Sequence, residues 1–189
     1  MLEQMKRVLR KEQILTIPNL LSTIRILLIP VIVWLYNVQQ QYEWTIFVIL
    51  VSGATDMIDG YIARHFNKIS DFGKILDPVA DKLTQLAIII CLLSRYKLLY
   101  ALIIIFVVKE LLMLLLGFIV FKKDDSVNSA RWFGKANTVI LYMTMMILIM
   151  FPGIPLVAAN ILIVVSAVMI IGSFILYIRF YNKILAKNK

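Results

Sequence analysis

The sequence predicts an all-α, polytopic membrane protein, and three features carry that expectation. Of 189 residues, 61% are hydrophobic and only 16% charged, with a mean hydropathy of +0.89, whereas soluble domains hold roughly 45–50% apolar residues. The apolar residues gather into six segments, each near the length of about 20 residues that crosses a bilayer as a helix. Lys and Arg cluster at the ends of those segments instead of forming one basic domain. The net charge of +9 therefore points to a membrane surface and an anionic substrate, not to nucleic acid.

At the N-terminus, Leu2, Met5 and Leu9 recur at helical spacing while Lys6, Arg7, Arg10 and Lys11 supply a basic surface. Residues 1–16 are expected to form an amphipathic helix lying in the membrane interface; a solvated basic tail is the alternative. The next apolar run is long and lacks a small-residue cleavage signature, so it reads as a retained first span and not a signal peptide. Spans are expected at Ile17–Tyr36, Trp44–Ile62, Ile75–Leu93, Leu98–Phe121, Trp132–Phe151 and Leu156–Tyr181. All six should be helices, because a spanning segment must satisfy its backbone hydrogen bonds internally. Their connections are too short for a further soluble module, which makes 1–189 one domain with a six-helix bundle over 17–181. The single cysteine, Cys91, excludes an internal disulfide and receives no role.

Orientation follows from the cations. The tail, the second-to-third and fourth-to-fifth connections and the C-terminal end hold fifteen of them: Lys6, Arg7, Arg10, Lys11, Arg64, Lys68, Lys74, Lys122, Lys123, Arg131, Lys135, Arg179, Lys183, Lys187 and Lys189. The opposite side holds Arg95 and Lys97. Both termini are expected in the cytoplasm, together with the ends of spans two and three.

Those two ends carry Asp56, Asp59, Asp77 and Asp81. Residues three or four apart share a helix face, so each pair projects from one side of its helix, and two helices joined by a short connection can turn the pairs toward each other. Charge in the hydrocarbon region costs several kcal/mol by most scales. Four carboxylates need cations, and oxygen-only ligands select hard divalent ions such as Mg²⁺ or Mn²⁺, with room for two. Gly60 beside Asp59 and Gly73 one turn before Asp77 would let a bulky ligand approach the backbone. In the competing structural account the glycines are helix-packing positions and the aspartates pair with Arg64, Lys74 and Lys82.

The stretch resembles the signature of the CDP-alcohol phosphatidyltransferase family: D-x-x-D-G-x-x-A-R, eight residues, then G-x-x-x-D-x-x-x-D. Asp56, Asp59, Gly60, Ala63, Arg64, Gly73, Asp77 and Asp81 match at every spacing. The resemblance implies transfer of a phosphatidyl group from a CDP-linked lipid to an alcohol with release of CMP, in a homodimeric six-helix membrane enzyme. By motif position, Asp56, Asp59 and Asp77 are metal ligands. Asp81 completes the metal site and acts as general base, while Gly60, Ala63, Arg64 and Gly73 line the nucleotide.

Two further stretches are similar to family patterns. In "IPNLLSTIR" the order P-N-x-x-T-x-x-R recurs with Ser22 at the usual threonine, which implies that Asn19, Ser22 and Arg25 reach the nucleotide; a helix start with a snorkelling arginine is the alternative. In "FGKANT", Gly134, Lys135 and Thr138 resemble the G-K-x-x-T of phosphatidylglycerophosphate and cardiolipin synthases, so Lys135 could hold an acceptor phosphate or act as an interfacial anchor. Within "KELLMLLLG", Lys109 and Glu110 stand where glycerophosphate-using members resemble R-E, but Gly117 replaces their second arginine. Lys109 and Arg131 join Lys135 as acceptor-binding candidates. His65 is read as a solvated ring.

The expected acceptor is glycerol 3-phosphate, giving phosphatidylglycerophosphate in a bacterial cell membrane. Phosphatidylglycerol, giving cardiolipin, is the alternative, ahead of inositol phosphate or serine. A metal-ion transporter using the four aspartates is the reading from a different functional class.

Overall fold

The structure, a computed structural model, describes residues 16–65, 73–121 and 132–187, with the backbone alone at positions 17, 18, 56, 59–65, 74, 75, 117–121 and 183–187. The described residues form six helices and no strand: α1 (Ile17–Asn37), α2 (Tyr42–His65), α3 (Gly73–Leu93), α4 (Leu99–Phe121), α5 (Trp132–Met150) and α6 (Leu156–Lys187). Every predicted segment is helical, and α6 runs past the expected Tyr181 to Lys187. The interfacial helix expected over 1–16 lies outside the described residues, apart from Thr16. That residue caps α1 by accepting the Asn19 N–H at 3.4 Å.

The six expected spans need one correction. Among the described residues, four helices are long and apolar enough to cross a membrane: Asn19–Asn37, Leu99–Leu116, Trp132–Met150 and Leu156–Asn182. The other two are diluted by the motif itself. The apolar part of α2 is Tyr42–Thr55, and Asp56 and Asp59 follow it. In α3, Lys74, Asp77, Asp81 and Lys82 crowd the first half.

The chain divides into two compact units, Met1–Cys91 and Leu92–Lys189. In the first, α1 and α2 pack as a hairpin whose turn places Gln40 in the left-handed region, with φ 52°. The Tyr36 and Tyr42 rings meet across this turn with centroids 5.5 Å apart. Helix α3 runs parallel to α1. Ser22 is hydrogen-bonded to Asp77 and Asn37 Nδ2 lies 3.6 Å from Cys91 Sγ, two pairs separated by 55 and 54 residues. Burial along both helices changes character midway. On α1 the buried face reads Asn19, Ser22, Arg25, then Ile32, Leu35, Tyr36; on α3 it reads Gly73, Ala80, Thr84, Gln85, then Ile88 and Ile89. The polar half of each helix is the half that builds the site.

In the second unit α5 and α6 are antiparallel. Ser166 Oγ donates to Thr144 Oγ1 at 2.9 Å, and Phe133 stacks edge-on against Tyr177 at 4.6 Å. The seam uses Asn137, Leu141, Thr144 and Leu148 from α5 and Ala159, Ile163, Ser166, Ile170 and Ser173 from α6. Their alternating spacing of three and four keeps one stripe of each helix on its partner. Helix α4 also packs on α6 and runs parallel to it: Ile104, Val108 and Lys109 share a pocket of about 240 Å³ with Ile170, Ile171 and Phe174.

Candidate active site

The site is built on the polar half of the first unit. Asp77 and Asp81 sit one turn apart on α3, both half-buried. Ser22, fully buried on α1, donates its hydroxyl hydrogen to Asp77 Oδ1. Asp81 Oδ2 accepts Nε2 of Gln85 at 3.0 Å and lies 3.8 Å from Lys82 Nζ. Gln85 was not singled out from the sequence, although its spacing of four from Asp81 on a polar helix face is the signal that finds it. Pro78 follows Asp77 inside α3. Having no N–H, it leaves the carbonyl four residues earlier, at position 74, without its usual helical donor.

The parallel register explains the small residues opposite α1. Asn19 and Gly73, like Asn37 and Cys91, differ by 54, while Arg25 and Ala80, like Ser22 and Asp77, differ by 55. Gly73 and Ala80 therefore stand level with the long polar side chains of Asn19 and Arg25, all four being buried. On α2, buried Thr45, Ile49 and Ser52 recur at spacings that lead on to positions 56 and 59, and the hairpin returns those positions to the polar half of α1. The side chains of Asp56, Asp59, Gly60, Ala63 and Arg64 lie outside the description, their backbone being helical.

Carboxylates, hydroxyls and amide carbonyls are the donors here, with no His or Cys beside Asp77 and Asp81 among the described residues, and such a set fits a hard divalent cation. Among the described residues no group of three metal-ligating side chains occurs, two of the four motif aspartates being outside them. Of the cations offered as purely structural partners, Lys82 is the one whose side chain is described, and it lies near Asp81. At 3.8 Å, with the side chains 31% and 26% exposed, that pair is a weak tether.

In the second unit, Lys135 is exposed in the first turn of α5, and Thr138 donates to the Gly134 carbonyl of its own helix at 3.2 Å. Lys109 is only 8% exposed and lies 2.6 Å from Glu110 Oε1. Arg131 and the side-chain position of Gly117 lie outside the description. Asn137, which the sequence reading passed over, is 2% exposed, and its Oδ1 has no hydrogen-bond partner among the described residues.

Apolar spans that keep hydroxyl side chains buried and acidic ones half-buried within a helical unit define an integral membrane protein with polar chemistry among its helices. The chain belongs to the CDP-alcohol phosphatidyltransferase family, whose sequence pattern matches residues 15–172. It is thus a transferase of phospholipid biosynthesis, in a family that uses divalent metal ions. The cardiolipin synthase (CMP-forming) of Streptomyces coelicolor is 31% identical over 147 residues, covering 75% of this chain and 68% of that protein. The CDP-diacylglycerol–glycerol-3-phosphate 3-phosphatidyltransferase of Rickettsia typhi is 40% identical over 81 residues, 42% of this chain and 46% of that one. A Schizosaccharomyces pombe protein fusing CMP-forming cardiolipin synthase to a mitochondrial hydrolase is 44% identical over 85 residues, 45% of this chain and 14% of that protein.

Proposed function

We propose that this enzyme transfers a phosphatidyl group from CDP-diacylglycerol to a glycerol-based alcohol, releasing CMP. The observation that carries this is the placement of Asp77 and Asp81 on one half-buried face of α3, with the Ser22 hydroxyl engaging Asp77. Asp56, Asp59, Asp77 and Asp81 hold two divalent ions, Mg²⁺ or Mn²⁺. Bound there, such ions neutralise the pyrophosphate and the charge that develops on departing CMP.

Asp81 accepts the proton of the attacking hydroxyl. The new bond joins that oxygen to the phosphatidyl phosphorus, and the bond broken is the one from that phosphorus to the pyrophosphate bridging oxygen. Gln85 holds Asp81 Oδ2 and so orients the carboxylate. Asn19, Gly60, Ala63, Arg64 and Gly73 receive the nucleotide. The excess of Lys and Arg on one side of the spans, fifteen against two, supports a cytoplasmic site with both termini cytoplasmic. The working form is a homodimer.

Glycerol 3-phosphate is the first acceptor, its phosphate met by Lys135, Lys109 and Arg131. Phosphatidylglycerol is the second, favoured by Gly117 at the expected arginine and by the pairing of Lys109 with Glu110. Purified protein incubated with CDP-diacylglycerol, Mg²⁺ and each alcohol decides between them through the lipid formed. If no alcohol yields CMP while the same protein carries Mn²⁺ across liposome membranes, the transporter reading replaces this one.

A further inference from the structure

We infer that Ser22 is a positioning residue for Asp77, acting on metal affinity and not on the nucleotide, as the first-span motif had suggested. The inference rests on the metal reading above. Four observations support it. Ser22 and Asp77 are joined by a direct side-chain hydrogen bond. Ser22 has no exposed surface. The Asn37–Cys91 contact at the far end of α1 repeats nearly the same parallel register, so the pair is held by two long helices. Gly73 and Ala80, one turn before and one turn after Asp77 on α3, are both buried.

The chemistry separates the two roles. A serine hydroxyl owns one proton, and here Asp77 Oδ1 takes it. Toward a nucleotide phosphate or carbonyl, which are themselves acceptors, Ser22 has nothing left to donate. Toward a cation the same bond is useful: it fixes the plane of the Asp77 carboxylate and leaves Oδ2 available. Hydrogen-bonding partners of metal ligands commonly set metal affinity by about 10- to 100-fold. Threonine at this position keeps the hydroxyl and should keep the function.

The test uses Mn²⁺ as probe and the full-length protein in detergent, with free Mn²⁺ followed by electron paramagnetic resonance. Ser22→Ala should weaken Mn²⁺ binding about 10- to 100-fold, while Ser22→Thr binds like the wild type. With Mn²⁺ raised to saturate each variant, CDP affinity should be the same in all three. Ser22→Ala that binds Mn²⁺ as the wild type does overturns the role, as does one that loses CDP affinity at saturating Mn²⁺. Wild-type protein that binds no Mn²⁺ at all sinks the metal reading itself, a distinct result.

Discussion

The hydroxyl of Tyr177 occupies the space that a Cβ on Gly134 would need, with the ring carbons of Tyr177 at 3.3 Å. Gly134 thus lets α6 bring an aromatic side chain against the first turn of α5, next to Lys135. The family-like glycine has a packing reason that is independent of any ligand.

Gly134→Ala should therefore destabilise the protein by about 1–3 kcal/mol, the usual cost of overpacking. Tyr177→Phe removes the offending oxygen but leaves the ring carbons at 3.3 Å, still a tight contact, so the double variant should recover part of the loss. Thermal unfolding in one detergent measures both. If Gly134→Ala alone melts like the wild type, the close approach is not maintained.

The Ser166–Thr144 hydrogen bond lies in the middle of the α5–α6 seam. Such bonds between spans average about 0.6 kcal/mol. Ser166→Ala and Thr144→Val should each lower stability by an amount of that order, and the double variant should lose less than the sum because the two share one bond. Strict additivity would show that the hydroxyls act separately.

Tyr96 caps the short connection between α3 and α4, its N–H bonded to the Leu92 carbonyl at 3.1 Å. The side chain is 3% exposed and its hydroxyl has no partner among the described residues; burial pushes its pKa up. An unsatisfied buried hydroxyl costs about 1–3 kcal/mol, so Tyr96→Phe should raise the melting temperature. Because the folded pKa lies above the unfolded value near 10, stability is full below that pH and falls as pH rises past it. The fall should be smaller in Tyr96→Phe. A variant less stable than the wild type at neutral pH would mean the hydroxyl is satisfied by water.

Much of this was legible in the sequence, for reasons that differ by element. The four apolar spans announce themselves by length and hydropathy alone. The helices bearing the motif do not, since Asp56, Asp59, Asp77 and Asp81 cut the apolar windows that a span needs; their helical state was legible through the spacing of the carboxylates. The pairing of Ser22 with Asp77 was not legible, because it depends on the register of α1 against α3, which no local pattern encodes. Gln85 was recoverable from its spacing to Asp81. Lys109 was foreseen as a candidate, but its burial and its place beside an apolar pocket come only from packing.

Asp81 tests the chemistry. Asp81→Asn should lose roughly 10²–10⁴ in turnover, the range for a general base, with a smaller change in CDP-diacylglycerol affinity. Gln85→Leu removes the bond to Asp81 Oδ2 and should lower kcat less than Asp81→Asn does. Asp77→Asn should abolish CMP release through the metals and leave folding intact. Near-normal turnover in Asp81→Asn would place the base elsewhere.

The acceptor is tested through Lys135, which stands exposed in the first turn of α5. A dianionic acceptor such as glycerol 3-phosphate needs fixed cations near its phosphate. With Gly117 in place of an arginine and Lys109 drawn to Glu110 at 2.6 Å, Lys135 has to supply more of that field. A hydrogen bond to a charged group is worth about 1.5–3 kcal/mol, or roughly 10- to 150-fold in affinity. Lys135→Gln should raise the KM for glycerol 3-phosphate by that factor and leave the KM for CDP-diacylglycerol nearly unchanged. Phosphatidylglycerol is anchored by its acyl chains and carries one phosphate charge, so its KM should respond far less to the same substitution. Wild-type protein that ignores glycerol 3-phosphate and converts phosphatidylglycerol to cardiolipin would overturn the first acceptor, and would identify the Lys109–Glu110 pair and Gly117 as the features that mark the second.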